Sequence, residues 1–127
     1  MGKFVLIFMM VLFLSGCSAA KEVNSYQQIT MEEAMVMMEE EENYIILDVR
    51  TVEEFEEKHI PGAINVPNEM IKVKGPKELP DKEQLILVYC RSGNRSKQAS
   101  EKLVSLGYTN VYEFGGINEW TGETVSE

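Results

Sequence analysis

The segment Gln84-Leu85-Ile86-Leu87-Val88-Tyr89 limits the possible folds of this chain more than any other. It is a short apolar, β-branched run with polar residues at its start, and its apolar stretch shows no alternation. That pattern reads as a strand buried on both faces, as in a parallel sheet covered by helices. It passes without a spacer into Cys90-Arg91-Ser92-Gly93-Asn94-Arg95-Ser96. A helical pattern then runs from about Ser96 to Leu106, with Ala99, Leu103 and Leu106 facing inward and Gly107 as the C-terminal stop.

The rest of the chain repeats this alternation. Thr30-Met31-Glu32-Glu33 is a capping box, followed by Met31, Ala34, Met35 and Met38 at helical spacing. Such a methionine stripe is core packing far more often than a copper or heme site. The acidic run Glu39–Glu42 reads as a solvated helix end. Tyr44 to Val49 reads as a second buried strand, and Thr51-Val52-Glu53-Glu54 opens a short helix ending before Pro61-Gly62. Ala63 to Val66 reads as a strand closed by Pro67. Residues 68–81, with Gly75, Pro76 and Pro80, are irregular around a single helical turn. Asn110 to Glu113 is a last strand and Ile117 to Thr121 a terminal helical turn. Strands alternating with helices predict one α/β domain with a central parallel sheet flanked by helices.

A buried strand, a tight polar loop and a helix together make an anion site. The strand end fixes Cys90, and the amides of Arg91 to Ser96 are placed to curl around whatever its sulfur carries. The helix N-terminus adds a partial positive charge of about half an elementary unit. Gly93 and Asn94 tolerate the left-handed conformations that such a nest needs. Arg91 and Arg95 bring two cations. All of this favours thiolate over thiol and makes Cys90 the candidate nucleophile.

Charge and cysteine count narrow the partners. The net charge is -9, and most of the acid lies beyond residue 20, which argues against nucleic acid as a partner. Cys17 and Cys90 are the only cysteines, so no disulfide framework exists once Cys17 is otherwise used. Lys3 followed by the apolar run Phe4–Leu14 matches the h-region of a secretory signal and is too short for a comfortable bilayer span. Leu14-Ser15-Gly16-Cys17 resembles the bacterial lipobox, which implies cleavage before Cys17 and lipidation of its thiol. The expected organisation is a signal at 1–16, lipidated Cys17 and tether at 17–25, the domain at 26–122 and a tail at 123–127. Attachment to a membrane on its extracytoplasmic face follows from that, since two or more acyl chains anchor stably. A plain secretory signal or an uncleaved anchor helix is the alternative.

The segment Cys90-Arg91-Ser92-Gly93-Asn94-Arg95-Ser96 resembles the active-site loop of single-domain bacterial rhodaneses. Leu47-Asp48-Val49-Arg50 and His59-Ile60-Pro61-Gly62-Ala63-Ile64-Asn65 are similar to two upstream signatures of that family. Gly115-Gly116 with Trp120 is similar to its C-terminal pattern. The likeness covers Tyr26 to Gly122. It implies that Cys90 takes sulfane sulfur from thiosulfate or a persulfide donor and passes it, as a persulfide, to cyanide or a thiol. The amides of Arg91 to Arg95 would hold the persulfide, and the two arginine side chains would favour anionic donors. Asp48 and Arg50 would lie near the loop and brace it. Neither a cofactor nor a metal is required.

Rival readings differ at specific residues. Phosphatases and arsenate reductases of this fold resemble a loop one residue longer, whereas four residues separate Cys90 from Arg95 here. A carrier that hands sulfur to a protein acceptor without turnover on small molecules is compatible with the same loop. His59, the only histidine, excludes a His-rich metal site and reads as a structural turn residue. Asp48 is balanced between a satisfied carboxylate and a site residue, Arg50 reads equally as partner of an acidic neighbour, and Tyr89 and Trp120 read as packing.

Overall fold

A computed structural model describes residues 25–126. The expected signal at 1–16, Cys17 and most of the tether lie outside the described residues. Five strands, β1 (Gln27–Gln28), β2 (Tyr44–Asp48), β3 (Ile64–Asn65), β4 (Leu85–Cys90) and β5 (Val111–Gly116), form one sheet in the order β1-β5-β4-β2-β3. Every pairing is parallel. Helices α1 (Met31–Glu40), α2 (Val52–Glu57) and α3 (Asn94–Ser105) connect them, with 3-10 turns at Asn68–Met70 and Ile117–Glu119. This is the expected α/β fold with a central parallel sheet.

The two faces of β4 explain its unbroken apolar run. Ile86, Val88 and Cys90 enter one core with Leu47, Val49, Ala99, Leu103 and Val111. Leu87 and Tyr89 enter the other with Met31, Ala34, Ile46, Phe114 and Ile117. Successive side chains point to opposite faces, and both faces are dry. The methionine stripe of α1 packs on the second core, with Met31 buried and Met35, Met37 and Met38 against it.

Both capping boxes form as the sequence requires. Thr30 accepts the Glu33 amide at 3.0 Å and Glu33 accepts the Thr30 amide at 2.8 Å. Thr51 and Glu54 repeat the exchange at 3.1 and 3.0 Å. Three elements depart from expectation. Helix α3 begins at Asn94, two residues early, because Gly93 takes a left-handed φ of 111° and itself supplies the N-cap position. β5 continues through Gly116, and β1 was not foreseen. Two glutamines carry no hydrophobic signal, and β1 forms because the edge of β5 offers Tyr112 and Glu113 as partners. Val125 also joins the domain, exchanging amide hydrogen bonds with His59 at 2.8 and 2.9 Å.

Candidate active site

The C-terminal end of β4 puts Cys90 at the centre of the sheet, beneath the start of α3. The residue is 1% exposed. The Gly93 amide donates to its Sγ at 3.0 Å. That contact depends on the left-handed backbone at Gly93, which turns the chain back over the sulfur and starts the helix at once. A residue with a side chain is strained at such a φ. The thiol in turn lies 3.4 Å from Ser96 Oγ, to which it donates. Sulfur, one amide and a helix N-terminus therefore coincide.

The loop is clamped from below. Gly116 is paired with Cys90 across the sheet, beside a register shift between Val88 and Cys90. A Cβ at Gly116 would collide with the Arg91 carbonyl group. The Asn118 amide donates to the Arg91 carbonyl oxygen at 3.1 Å. The Gly115-Gly116 pair thus lets the end of β5 support the loop at backbone contact distance.

The two loop arginines share a single counterion. Arg91 Nε donates to Glu54 Oε2 at 3.0 Å, while Arg95 donates to Glu54 Oε1 and Oε2 at 2.8 and 3.1 Å. The Arg95 guanidinium, aided by the Thr51 amide and by Arg91, holds the Glu54 carboxyl well below the usual carboxylate range. Arg95 is raised in return, chiefly by Glu54, with Cys90 among the smaller contributors. The sequence alone assigns both cations to an incoming anion; in the structure Glu54, the N3 residue of α2, engages them. Ser92 and Asn94 are exposed at the rim.

Asp48 and Arg50 form a separate buried bracket. Asp48 is 0% exposed and Arg50 2%. Arg50 Nη2 and Nε reach the Asp48 carboxylate at 2.7 and 3.0 Å, and the Tyr89 hydroxyl donates to it at 2.6 Å. Tyr89 also accepts the Ile60 amide at 3.1 Å, and burial pushes its phenol well above the ordinary value. Arg50 further donates to the Lys58 carbonyl oxygen at 2.7 Å. The bracket ties β2, β4 and the Lys58–Ile60 turn together on the face opposite Cys90. His59 belongs to that turn: its ring stacks on Phe55 at 3.7 Å and its Nδ1 donates to the Phe55 carbonyl oxygen at 2.7 Å.

One residue at the site was not singled out from sequence. Glu113 of β5 is 1% exposed and lies under the loop. Its Oε2 accepts from Ser96 Oγ at 2.6 Å and from the Gly115 amide at 3.0 Å, and its Oε1 from Gln28 Nε2 at 3.3 Å.

Comparison with known proteins agrees with this architecture. The rhodanese-like domain family matches residues 30–123. Thiosulfate sulfurtransferase PspE of Escherichia coli (strain K12) is 40% identical over 73 residues, which are 58% of this chain and 70% of that protein. Thiosulfate sulfurtransferase GlpE of Coxiella burnetii is 35% identical over 96 residues, 75% of this chain and 87% of that one. The putative sulfur carrier protein YrkF of Bacillus subtilis (strain 168) is 31% identical over 110 residues, 86% of this chain but 58% of the carrier's length. Among solved structures, a rhodanese with anions from E. coli superposes with a TM-score of 0.61 at 36% identity, covering 66% of this chain and 99% of that one. A rhodanese-like domain protein from Staphylococcus aureus gives 0.67 at 30%, covering 80% and 98%. With the family match spanning most of the chain and the cysteine loop at the sheet's C-terminal edge, this chain belongs to the rhodanese-like domain family.

Proposed function

We propose that the chain is a sulfurtransferase in which Cys90 carries the transferred atom. The observation that carries the reading is the Gly93 amide aimed at Cys90 Sγ, 3.0 Å away, at the N-terminus of α3. In the first half-reaction the Cys90 thiolate attacks the outer sulfur of thiosulfate. The S–S bond of the donor breaks, its electron pair leaves on sulfite, and a Cys90 persulfide anion remains. In the second, cyanide or a thiolate takes the terminal sulfur and the Cys90 thiolate is regenerated. A persulfide anion at this position faces the positive end of α3 and the Gly93 amide. Arg91 and Arg95 serve the anionic donor at the rim, where Glu54 moderates their charge. Bearing on this reading, PspE and GlpE are each named thiosulfate sulfurtransferase.

We place the protein on the extracytoplasmic face of a membrane, anchored through lipidated Cys17, on the strength of the Leu14-Ser15-Gly16-Cys17 segment. The mass of the mature protein extracted from membranes tests this. The expected species begins at Cys17 with added acyl mass, and an unmodified Met1 species refutes it.

The full-length chain in detergent should convert thiosulfate and cyanide to thiocyanate, and Cys90→Ser should be inert. Turnover that survives this substitution refutes the assignment. A second reading, a carrier that delivers sulfur to a protein acceptor, is favoured by the likeness to a putative sulfur carrier. Uptake of one sulfur by intact mass without thiocyanate turnover selects the carrier. Hydrolysis of an aryl phosphate by wild type but not by Cys90→Ser would point to a phosphatase instead.

A further inference from the structure

Sulfur transfer needs a thiolate at Cys90, and therefore a place for its proton. The charged groups near the site are mostly committed elsewhere. Glu54 holds Arg91 and Arg95, Asp48 holds Arg50 and Tyr89, and the His59 Nδ1 proton is given to the Phe55 carbonyl. The carboxylate of Glu113 remains. It is 1% exposed and takes three hydrogen bonds, all from neutral donors. Among the described residues no lysine, arginine or histidine forms an ion pair with it. A buried carboxylate without a cation is costly to keep, and its retention beneath a nucleophile calls for a use.

The hydrogen bonds give that use a direction. Ser96 has a single hydroxyl proton, and its shortest contact is with Glu113 Oε2 at 2.6 Å. Toward Cys90 the same oxygen is left as an acceptor, 3.4 Å from Sγ. The Gly93 amide meanwhile donates to Sγ at 3.0 Å. The chain therefore runs thiol to Ser96 to Glu113, every donor pointing the same way. Gly93 packs over the carboxylate: a Cβ there would lie at ordinary contact distance, 3.9 Å from Glu113 Oε2 and 3.7 Å from Gly115 Cα.

We propose that Glu113 accepts the Cys90 proton through the Ser96 hydroxyl, so that sulfur loading moves one negative charge from the carboxylate to the sulfur without changing the charge of the buried site. This rests on the sulfur-transfer reading above. The Cys90 proton passes to Ser96 Oγ while the Ser96 proton passes to Glu113 Oε2. The thiolate then attacks thiosulfate, forming the Cys90 S–S bond, and sulfite departs with the electron pair of the broken bond. In sum, thiol, carboxylate and thiosulfate become persulfide anion, carboxylic acid and sulfite, with one proton and three negative charges on each side. Ser96 afterwards donates toward the persulfide and accepts from the protonated Glu113. The other groups that sense this site are Arg95, whose guanidinium is raised chiefly by Glu54 and in smaller part by Cys90, and Tyr26, whose phenol is raised by burial and in smaller part by Glu101 and Glu113.

Single-turnover loading of the full chain in detergent with thiosulfate, followed by intact mass and by infrared difference spectroscopy, tests the relay. Wild type gains one sulfur, and the carbonyl stretch of a protonated carboxyl grows at the rate of loading. Glu113→Gln retains an acceptor for Ser96 and Gly115, yet loses the band and loads about 100-fold more slowly, at the low end of general-base effects. Ser96→Ala keeps the carboxylate, cuts the chain and loses the band as well. The double variant is no slower than the worse single one, as expected for residues acting as a unit. Wild-type loading without the band, or Glu113→Gln loading within about threefold of wild type, overturns the relay alone. The band is read on wild type, so that outcome stands even if a variant misfolds. A wild-type chain that takes up no sulfur overturns the sulfur-transfer reading and the relay with it.

Discussion

Replacing Glu54 by glutamine removes the one counterion that the loop arginines share while keeping the length of the side chain. Glutamine satisfies a capping box as well as glutamate does, so the start of α2 is preserved and the charge is isolated. The Arg95 fork of 2.8 and 3.1 Å has a guanidinium side chain 32% exposed. Charge-assisted bonds contribute about 1.5–3 kcal/mol when sheltered, and about half of that at this exposure. Arg91, 52% exposed, adds about 0–1 kcal/mol. The sum is about 1–2 kcal/mol at neutral pH. With a urea dependence of about 1 kcal/mol per molar for a domain of this size, the unfolding midpoint should fall by about 1–2 M. The sign with pH follows from Arg95, which depresses the Glu54 carboxyl in the folded state. The contribution is full above the ordinary glutamate value of about 4.3 and is lost as pH falls through the depressed folded value. Urea titrations of both proteins at a series of pH values measure the difference. A midpoint change under about 0.2 M at neutral pH refutes the shared-counterion account. So does a difference that persists undiminished near pH 2, where most of the pair's advantage should be gone.

Asp48→Asn leaves the Arg50 guanidinium buried without a counterion and should destabilise the fold by about 3–5 kcal/mol, read by urea unfolding. Tyr89→Phe removes a donor to Asp48 and an acceptor for the Ile60 amide; a loss of about 1–3 kcal/mol by the same assay is expected, with thiocyanate formation in the surviving folded fraction little changed. Gly93→Ala forces a side chain into a φ of 111°, at a cost of about 1–2 kcal/mol, and turns the amide away from Cys90. Its sulfur-loading rate, followed by intact mass, should fall more than its unfolding midpoint suggests. Glu54→Gln should also lower the KM for thiosulfate, because both guanidiniums are released to the donor; an unchanged KM would place the donor elsewhere.

Much of the fold was legible because the informative signals are local and redundant. Both capping boxes, the methionine stripe and the apolar runs at Tyr44 and Gln84 each specify an element within a few residues. The Cys90 loop was legible for the same reason. What escaped depends on partners remote in sequence. β1 exists through its pairing with β5, about 85 residues away. The early start of α3 comes from Gly93, whose left-handed φ the loop composition permits but does not require. The engagement of Arg91 and Arg95 by Glu54 joins residues 37 and 41 positions apart, and no pattern in either segment announces it.

Glu113 escaped for a more instructive reason. In Val111-Tyr112-Glu113-Phe114, alternation suggests that Tyr112 and Phe114 face the core and that the glutamate faces water. That inference assumes a sheet wet on one side. Here both faces are covered, and Val111 and Glu113 share the face that carries Val88 and Cys90. A charged residue on a strand between two cores has nowhere solvated to point. It is tolerated because Ser96, Gly115 and Gln28 supply its donors. Gly115 holds Oε2 and Gln28 holds Oε1, which fixes the carboxylate against the serine that accepts from the thiol. Apolar burial would have stabilised this position at less cost, so the acid is best explained by the proton it stands ready to take.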